Sequence, residues 1–379
     1  MIFNAEKSAL SPVLSAAKLV VPARPAIPIA GCFLLRLKGN DLEIAANDVT
    51  GLGISLSIQV EGEKDGCIAV SAMDFADTVA NAPDGKLAIS SEKLNLKVSW
   101  GEERYADLNG RNPDDFIKTP EIETDCHLAL KVPALSFLLS KVAFAASKSI
   151  ENRPSLTGIL LEADESKLVA VGTDSHRLSR LYLQPETEEA FSLDRSAIVP
   201  PRAVQVLLAA ANAVGEAEAT VSMGFSETYL KFKTSNASVV AKLLEGPYPA
   251  WRPVIPAVLP ISIKLNTAIM LDALNRVNAA TDKSTHSARL TLQGSEMKIS
   301  ATASRHVRER IACIYENPQG VDSELHLGVN SNYLIEILKA CGTEEIEILV
   351  NGEHSLCEVL PSGENSDLLF LLMLIRLAE

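Results

Sequence analysis

The stretch Leu168-Val169-Ala170-Val171-Gly172-Thr173-Asp174 decides how this chain is read, because it occurs three times. Its first counterpart is Leu42-Glu43-Ile44-Ala45-Ala46-Asn47-Asp48, and a weaker third is Met297-Lys298-Ile299-Ser300-Ala301-Thr302-Ala303. Each alternates as a half-buried strand does, successive side chains pointing to opposite faces. The copies are offset by 126 residues from Asp48 to Asp174 and by 129 from Asp174 to Ala303. A second anchor, a strand end running into an apolar helix, repeats with nearly the same period. It reads Val70-Ser71-Ala72-Met73-Asp74-Phe75, then Val199-Pro200-Pro201-Arg202-Ala203-Val204, then Val329-Asn330-Ser331-Asn332-Tyr333-Leu334. Its offsets are 129 residues from Val70 to Val199 and 130 from Val199 to Val329. Two anchors sharing one period, too long for a solenoid repeat, point to a triplicated domain.

Working outward, each copy opens with a short strand followed by a helix. The spacing predicts these helices from about Glu6 to Leu19, from Pro133 to Ser147 and from Thr267 to Ala280. In the second, Leu135, Leu138, Leu139 and Val142 recur at helical spacing and define one apolar face. Further helices are predicted near Ala72–Ala80 and Asn332–Ala340. The rest of each copy is short β-type runs with turn signals such as Gly39-Asn40-Asp41 and Asp84-Gly85. The fold class is therefore α+β, three tandem copies of two helices packed on antiparallel sheet. Proline-rich stretches punctuate the borders: Arg111-Asn112-Pro113-Asp114-Asp115-Phe116 continuing to Pro120, and Gly246-Pro247-Tyr248-Pro249-Ala250-Trp251-Arg252-Pro253 continuing to Pro260. Such connectors are extended and semi-rigid. The expected domains are 1–121, 122–255 and 256–379.

Composition narrows the function classes. A chain of 379 residues with 47 % apolar content can bury a core in each copy without metal or disulfide staples. The six cysteines (Cys32, Cys67, Cys126, Cys313, Cys341, Cys357) are scattered, with no CxxC and no histidine at ligand spacing. Reduced thiols, no metal site, no cofactor and a cytoplasmic location are expected. Met1-Ile2-Phe3-Asn4 lacks the basic flank and apolar core of a secretory leader. The longest apolar run, Leu368 to Ile375, is far short of the ~20 residues a membrane helix needs and reads as a buried strand.

Net charge is −13, which argues against nucleic acid unless positive charge collects on one surface. The first helix carries Lys7 and Lys18, about three turns apart and so on one face. Its equivalent in copy two carries Lys141 and Lys148, again aligned, and copy three offers Arg276 and Lys283 beside Asp272 and Asp282. No acid lies between the paired lysines of copies one and two. On any single helix this is an ordinary solvated face; repeated across copies, it favours a shared surface facing an anion through water and point charges.

Several motifs add specificity. Val171-Gly172-Thr173-Asp174-Ser175-His176-Arg177-Leu178-Ser179 resembles the T-D-G-H-R-L motif of the bacterial β sliding clamp family (DNA polymerase III beta subunit), with Ser175 in place of the usual glycine. Arg153-Pro154-Ser155-Leu156-Thr157-Gly158 is similar to its R-P-x-L-x-G, and Arg24-Pro25-Ala26-Ile27-Pro28-Ile29 to its R-P-x-L-P-I. Gly246-Pro247-Tyr248-Pro249-Ala250-Trp251 resembles the motif preceding the family's third domain, and Met373-Leu374-Ile375-Arg376-Leu377 its closing M-P-M-R-L. The matches run in order along essentially the whole chain.

The resemblance implies a protomer that dimerises head to tail into a closed ring, with helices lining the hole and sheets forming the rim. Its partners would be double-stranded DNA, held topologically and without sequence preference, and a replicative polymerase, clamp loader and repair proteins docked through short linear motifs. DNA-binding residues implied or suggested are Lys18, Arg24, Lys141, Lys148, Arg153 and Arg202. A partner-peptide groove would use Leu156, Thr173, Ser175, His176, Arg177, Leu178, Pro249 and Val254. It would add Asn330, Tyr333 and a terminal strand of Leu371, Leu372, Met373, Leu374, Ile375 and Arg376. Departures from the family pattern are Ser175, Leu374 at a usual proline, Pro253 at a usual basic position and the extension Ala378-Glu379. At the expected dimer surface Tyr105 fits the usual aromatic, whereas the region of Ala279 and Ala280 is smaller than usual.

Two other readings of the chain are an enzyme and a protein scaffold. Asp174, Ser175 and His176 are adjacent and cannot point at one another as a catalytic triad requires, and His127, His286, His306, His326 and His354 show no pairing. With no P-loop, GxGxxG or HExxH, no enzyme is expected. A protein scaffold of the same fold that never binds DNA is the alternative, and would be favoured if the lysines lay on an outer face.

Overall fold

The computed structural model describes residues 1–117, 119, 122, 126–149, 153–185, 196–303, 305–318, 320, 324–352, 355–363 and 367–376. The border at 121, Pro120, His354, Leu377 and the extension Ala378-Glu379 lie outside them. Among the described residues, six α-helices follow the predicted order: α1 (Lys7–Lys18), α2 (Ala72–Asn81), α3 (Val132–Val142), α4 (Pro201–Ala213), α5 (Thr267–Asn278) and α6 (Ser331–Cys341). Each leaves directly from a strand, as in Ile2–Glu6 into α1, Ile261–Asn266 into α5 and Leu325–Asn330 into α6.

Local chemistry explains where the helices begin. Ser71, Asn266 and Asn330 each stand at an N-cap, with side-chain oxygens accepting from Asp74 N, Ile269 N, and Asn332 N and Tyr333 N respectively. Such caps satisfy backbone donors that the first turn leaves unpaired. In α4, Pro201 takes the first helical position, where a missing N–H costs nothing. Along α1, Leu10, Val13, Leu14 and Ala17 form a fully buried stripe at helical spacing.

The chain divides into two compact units, Met1–Phe137 with Pro185–Leu244, and Leu138–Gln184 with Glu245–Glu379. The middle copy thus contributes to both. In the first unit, Ala237–Lys242 of copy two pairs antiparallel with Leu52–Gln59 of copy one, Val239 opposite Ile54, and α1 packs on both α2 and α4. In the second, Arg177–Leu183 of copy two pairs with Leu368–Met373 of copy three, Ser179 opposite Phe370. Sheets therefore run on through these borders between copies, and the strands that meet there are paired rather than left as edges.

The repeat is visible at atomic detail in its turns. After the strand Lys167–Thr173, Thr173 Oγ1 accepts from Ser175 N at 3.1 Å, and Asp174 Oδ1 accepts from His176 N and Arg177 N at 2.9 and 3.0 Å. After Asp41–Asn47, Asn47 Oδ1 accepts from Val49 N at 3.1 Å, and Asp48 Oδ1 accepts from Thr50 N and Leu52 N at 2.9 Å each. Val49 and Ser175 occupy the same place and are both left-handed, with φ of 59° and 75°. That conformation is costly for any residue with a Cβ, most of all a β-branched one. Residue 304, at the equivalent place in copy three, lies outside the described residues.

The second helix is shorter than the periodicity predicts. It ends at Val142 and passes into a 3-10 turn, Ala143–Ala145, instead of reaching Ser147. Strand side chains take over its last carbonyls: Ser179 Oγ donates to Lys141 O at 2.6 Å, and Arg177 Nη2 donates to Phe144 O at 2.7 Å. Gly172 allows this approach, because a Cβ there would lie 2.5 Å from Val142 O. Lys148 consequently lies beyond the helix, and its alignment with Lys141 is lost.

Candidate functional site

An apolar trough of about 300 Å³ lies in the second unit. One wall is the twinned-turn segment and the strand after it: Thr173, Ser175, His176, Arg177 and Leu178. The other comes from Pro249, Ala250, Trp251 and Val254, and the floor from Leu356, Leu371 and Met373. Strand alternation decides the floor: Leu371 and Met373 face the trough, while Leu372 between them points to the other side and is fully buried. Met373 is half exposed, at 51 %, which leaves an adaptable thioether at the rim. Ala250, Trp251 and Leu356 are lining residues that the sequence reading missed. The motif Gly246–Trp251 pointed toward the first two, whereas nothing along the chain links Leu356 to Thr173.

A second depression of about 920 Å³ adjoins the trough, since Ser175, His176 and Arg177 line both. It is polar: Lys148, Arg153 and Lys339 bring positive charge, Asp174 and Glu336 negative, and Asn275, Asn278 and Asn332 amide groups. Leu156 and Tyr333 belong here, Tyr333 stacked on the His176 ring with centroids 6.2 Å apart.

Several expected groove residues play another part. The Arg177 guanidinium is buried and pairs with Asp174 Oδ2 at 3.1 Å and with Glu336, and it packs on the Tyr333 ring at 4.4 Å. It borders both depressions, but its charge is taken up by these two carboxylates. Asn330 is occupied as the cap of α6, and its Nδ2 donates to Thr285 O at 3.2 Å. The strand ends at Met373, so Leu374, Ile375 and Arg376 are not part of it; Leu374 N and Ile375 N donate to Ser355 O and Gly328 O. A proline at 374 would lack the first of these bonds. Pro253 lies in a 3-10 turn, Arg252–Val254, whose basic group is Arg252.

The expected DNA-facing cations are mostly engaged. Lys7 reaches Ala82 O at 2.6 Å and Asp84 at 3.2 Å, and Lys18 reaches Asp77 at 3.2 Å. The absence of acids within α1 thus does not leave its lysines free, because the neighbouring helix and the turn after it supply them. Arg202 Nη2 donates to Leu19 O at 2.8 Å, closing the C-terminus of α1, and lies 3.8 Å from Asp48. Lys141 is turned onto the end of another helix: its ammonium donates to Ala340 O and Cys341 O, at the C-terminal end of α6. Burial lowers its pKa. In copy three Arg276 is held bidentately by Glu309 at 2.9 and 3.0 Å. Arg24 and Arg153 are exposed, and Lys148, 83 % exposed, is 3.6 Å from Glu336. Even so, the six helices carry six basic and four acidic side chains, a net positive set within a chain of −13.

Other expectations meet their surroundings as follows. Tyr105 is half exposed with the Lys97 ammonium 3.7 Å above its ring. Ala280 is buried at 1 % and cannot meet a partner; Ala279 is exposed and its carbonyl accepts from Arg305 at 2.8 Å. His326 Nε2 lies 3.8 Å from Glu324 Oε2 and its Nδ1 3.2 Å from Thr291 Oγ1. Among the described residues, no group of three His, Cys, Asp or Glu side chains is placed to hold a metal, and no helix is long and apolar enough to cross a membrane.

Comparison with known proteins gives this geometry a context. Family models of the DNA polymerase III beta subunit match in order: the N-terminal domain over residues 1–120, the central domain over 129–250 and the C-terminal domain over 252–375. The chain is 25 % identical over 358 residues to the beta sliding clamp of Staphylococcus epidermidis, spanning 91 % of this chain and 92 % of that protein. It is 26 % identical over 341 residues to that of Staphylococcus aureus, spanning 87 % and 85 %. Its fold is similar to the DNA polymerase III subunit beta of Pseudomonas aeruginosa, with a TM-score of 0.89 at 24 % identity over 100 % of both chains. A Pseudomonas aeruginosa sliding clamp bound to griselimycin gives a TM-score of 0.91 at 24 % identity, again over 100 % of both. With three of its domain models matched consecutively from residue 1 to residue 375, the chain belongs to the DNA polymerase III beta subunit family.

Proposed function

We propose that the protein is a DNA sliding clamp, a head-to-tail dimeric ring that encircles duplex DNA and tethers a replicative polymerase and other DNA-processing proteins. The observation that carries this reading is the ordered match of all three beta-subunit domains along one chain. In this reading the domains run 1–121, 122–255 and 256–379, the protein works in the cytoplasm and it catalyses no reaction. Partner peptides, extended and bearing aliphatic or aromatic anchors, fill the trough of Thr173, His176, Leu178, Pro249, Trp251, Val254, Leu371 and Met373. That a Pseudomonas aeruginosa clamp of this fold is bound to griselimycin supports a ligand site on such a scaffold. Phosphates meet Arg24, Lys148 and Arg153, whose head groups are exposed; Lys141 instead closes the end of α6.

One observation favours the alternative, a scaffold of the same fold that does not bind DNA: Lys7, Lys18, Lys141 and Arg202 are all partnered within the chain. The test separates the two. The protein is loaded onto a nicked circular plasmid with a clamp loader, and the circle is then linearised. A topological clamp stays on the circle and slides off the linear form. A protein that never loads, or remains on linear DNA, refutes the clamp reading. Light scattering should give twice the 40.7 kDa chain mass, and His176→Ala with Met373→Ala should weaken partner-peptide binding without altering that mass.

A further inference from the structure

The wall of the trough formed by Pro249, Trp251 and Val254 belongs to no sheet or long helix. It is extended chain and a single 3-10 turn. Such a segment holds a fixed shape only where side chains fasten it. Upstream, Tyr248 Oη donates to Val171 O at 3.1 Å and Ser155 Oγ donates to Pro247 O at 3.1 Å. Those bonds anchor the chain ahead of the wall; the Trp251 ring is buried by packing, but its polar edge still needs a partner.

That role falls to a residue that does not line the trough. The strand Ile159–Asp164 places Glu162 and Asp164, two apart, on one face. Glu162 Oε1 accepts from the indole Nε1 of Trp251 at 3.0 Å and from Arg252 Nη1 at 2.6 Å. Asp164 Oδ2 accepts from Arg252 Nη2 at 3.4 Å and from Tyr182 Oη at 2.9 Å. The Arg252 guanidinium in turn covers the Trp251 ring at 4.4 Å. The indole is thus held at its edge by a carboxylate and over its face by an arginine that the same carboxylate grips. Glu162 is only 19 % exposed, so its charge-assisted bonds are partly shielded from water.

We infer that Glu162 is the positioning residue of the partner groove: it sets the orientation of Trp251, and through it the width and anchor selectivity of the trough. This rests on the groove reading above. Trp251 is itself only 4 % exposed, so packing keeps the ring inside; losing the carboxylate removes the bond that fixes its edge and lets it settle differently against its neighbours, which changes the shape presented to an aromatic anchor.

The test uses the full-length protein in a Trp100→Phe background, which leaves Trp251 as the single tryptophan. The probe is a fluorescein-labelled peptide carrying two leucines and a terminal phenylalanine, with a second peptide ending in alanine for comparison. Glu162→Ala should weaken the phenylalanine peptide about tenfold, the scale of one charge-assisted bond, and lower its preference over the alanine peptide. Glu162→Gln keeps an acceptor for the indole but not the charge that grips Arg252, and should lose about threefold. Acrylamide quenching of Trp251 should rise in the same order, with the dimer mass unchanged. A purely structural role would lower the unfolding midpoint while leaving both quenching and the peptide ratio as they were, and that result overturns the inference. Met373→Ala is the control for the groove itself. If that change leaves peptide binding intact while Glu162→Ala still raises quenching, the groove reading fails and the positioning of Trp251 stands.

Discussion

Replacing Ser175 with glycine should stabilise the fold. Ser175 holds a φ of 75° in a turn whose hydrogen bonds are supplied by Thr173 Oγ1 and Asp174 Oδ1, not by its own side chain. The substitution therefore removes left-handed strain and leaves the turn's bonds in place. A residue with a Cβ in this conformation costs about 1–2 kcal/mol, and the extra freedom of glycine in the unfolded chain takes back about 0.5–1 kcal/mol. The net expectation is a gain of about 0.5–1 kcal/mol. Val49→Gly, at the equivalent turn with φ 59°, should gain more, about 1–1.5 kcal/mol, because a β-branched side chain tolerates the left-handed region least. Urea unfolding measures both, through the midpoint at unchanged slope. If both glycine variants unfold at lower urea than the parent, the two turns are not strained as argued. A stabilised Ser175→Gly that also binds partner peptide less well would place the hydroxyl, which borders both depressions, among the groups that contact the ligand.

Arg177→Ala should destabilise by about 3–5 kcal/mol, because it strands Asp174 and Glu336 beside an emptied buried site, whereas Glu336→Gln should cost under about 1 kcal/mol since that carboxylate is 37 % exposed. Denaturant unfolding of the two variants ranks them, and equal losses would contradict the buried pairing of Arg177. Lys141→Met should lower stability by about 1 kcal/mol through loss of the bonds to Ala340 O and Cys341 O, and should leave retention on circular DNA unchanged. A retention defect without a stability change would instead make Lys141 a phosphate contact. Burial pushes the Cys357 thiol from its ordinary 9.0 to about 12. The folded state then binds the proton more tightly than the unfolded one, so this contribution is complete below pH 9 and is lost as pH rises toward 12. Cys357→Val should therefore flatten the fall of stability above pH 9, as read by urea midpoints at pH 8 and pH 10; an unchanged pH slope would refute it.

The architecture was open to sequence reading because its determinants lie along the chain. The repeated anchors at Asp48 and Asp174, the helical stripe of Leu135, Leu138 and Val142 and the turn signals each depend on a few neighbouring residues. The triplication, the α+β class and the motifs marking the family follow from such signals. Strand alternation even foretells that Leu371 and Met373 share a face, although counting Leu372 with them ignored it.

What tertiary structure alone decided is the state of the charges and the composition of the trough. Lys141 looks like one member of a basic stripe until the end of α6, some 200 residues away, takes its ammonium. Arg177 borders the trough as its motif suggests, but its charge is taken by Glu336, 159 residues on. Leu356 and Trp251 become neighbours of Thr173 only when the strands of copies two and three join one sheet. The physical reason is the same in each case. A hydrophobic period or a cap is settled within a turn or two of backbone, while a buried charge takes its role from whichever donor or acceptor the fold brings within about 3 Å. The sequence by itself determined three clamp-like copies and drew attention to the motifs at Thr173 and Met373; folding determined which side chains there line the trough and which hold its walls in shape.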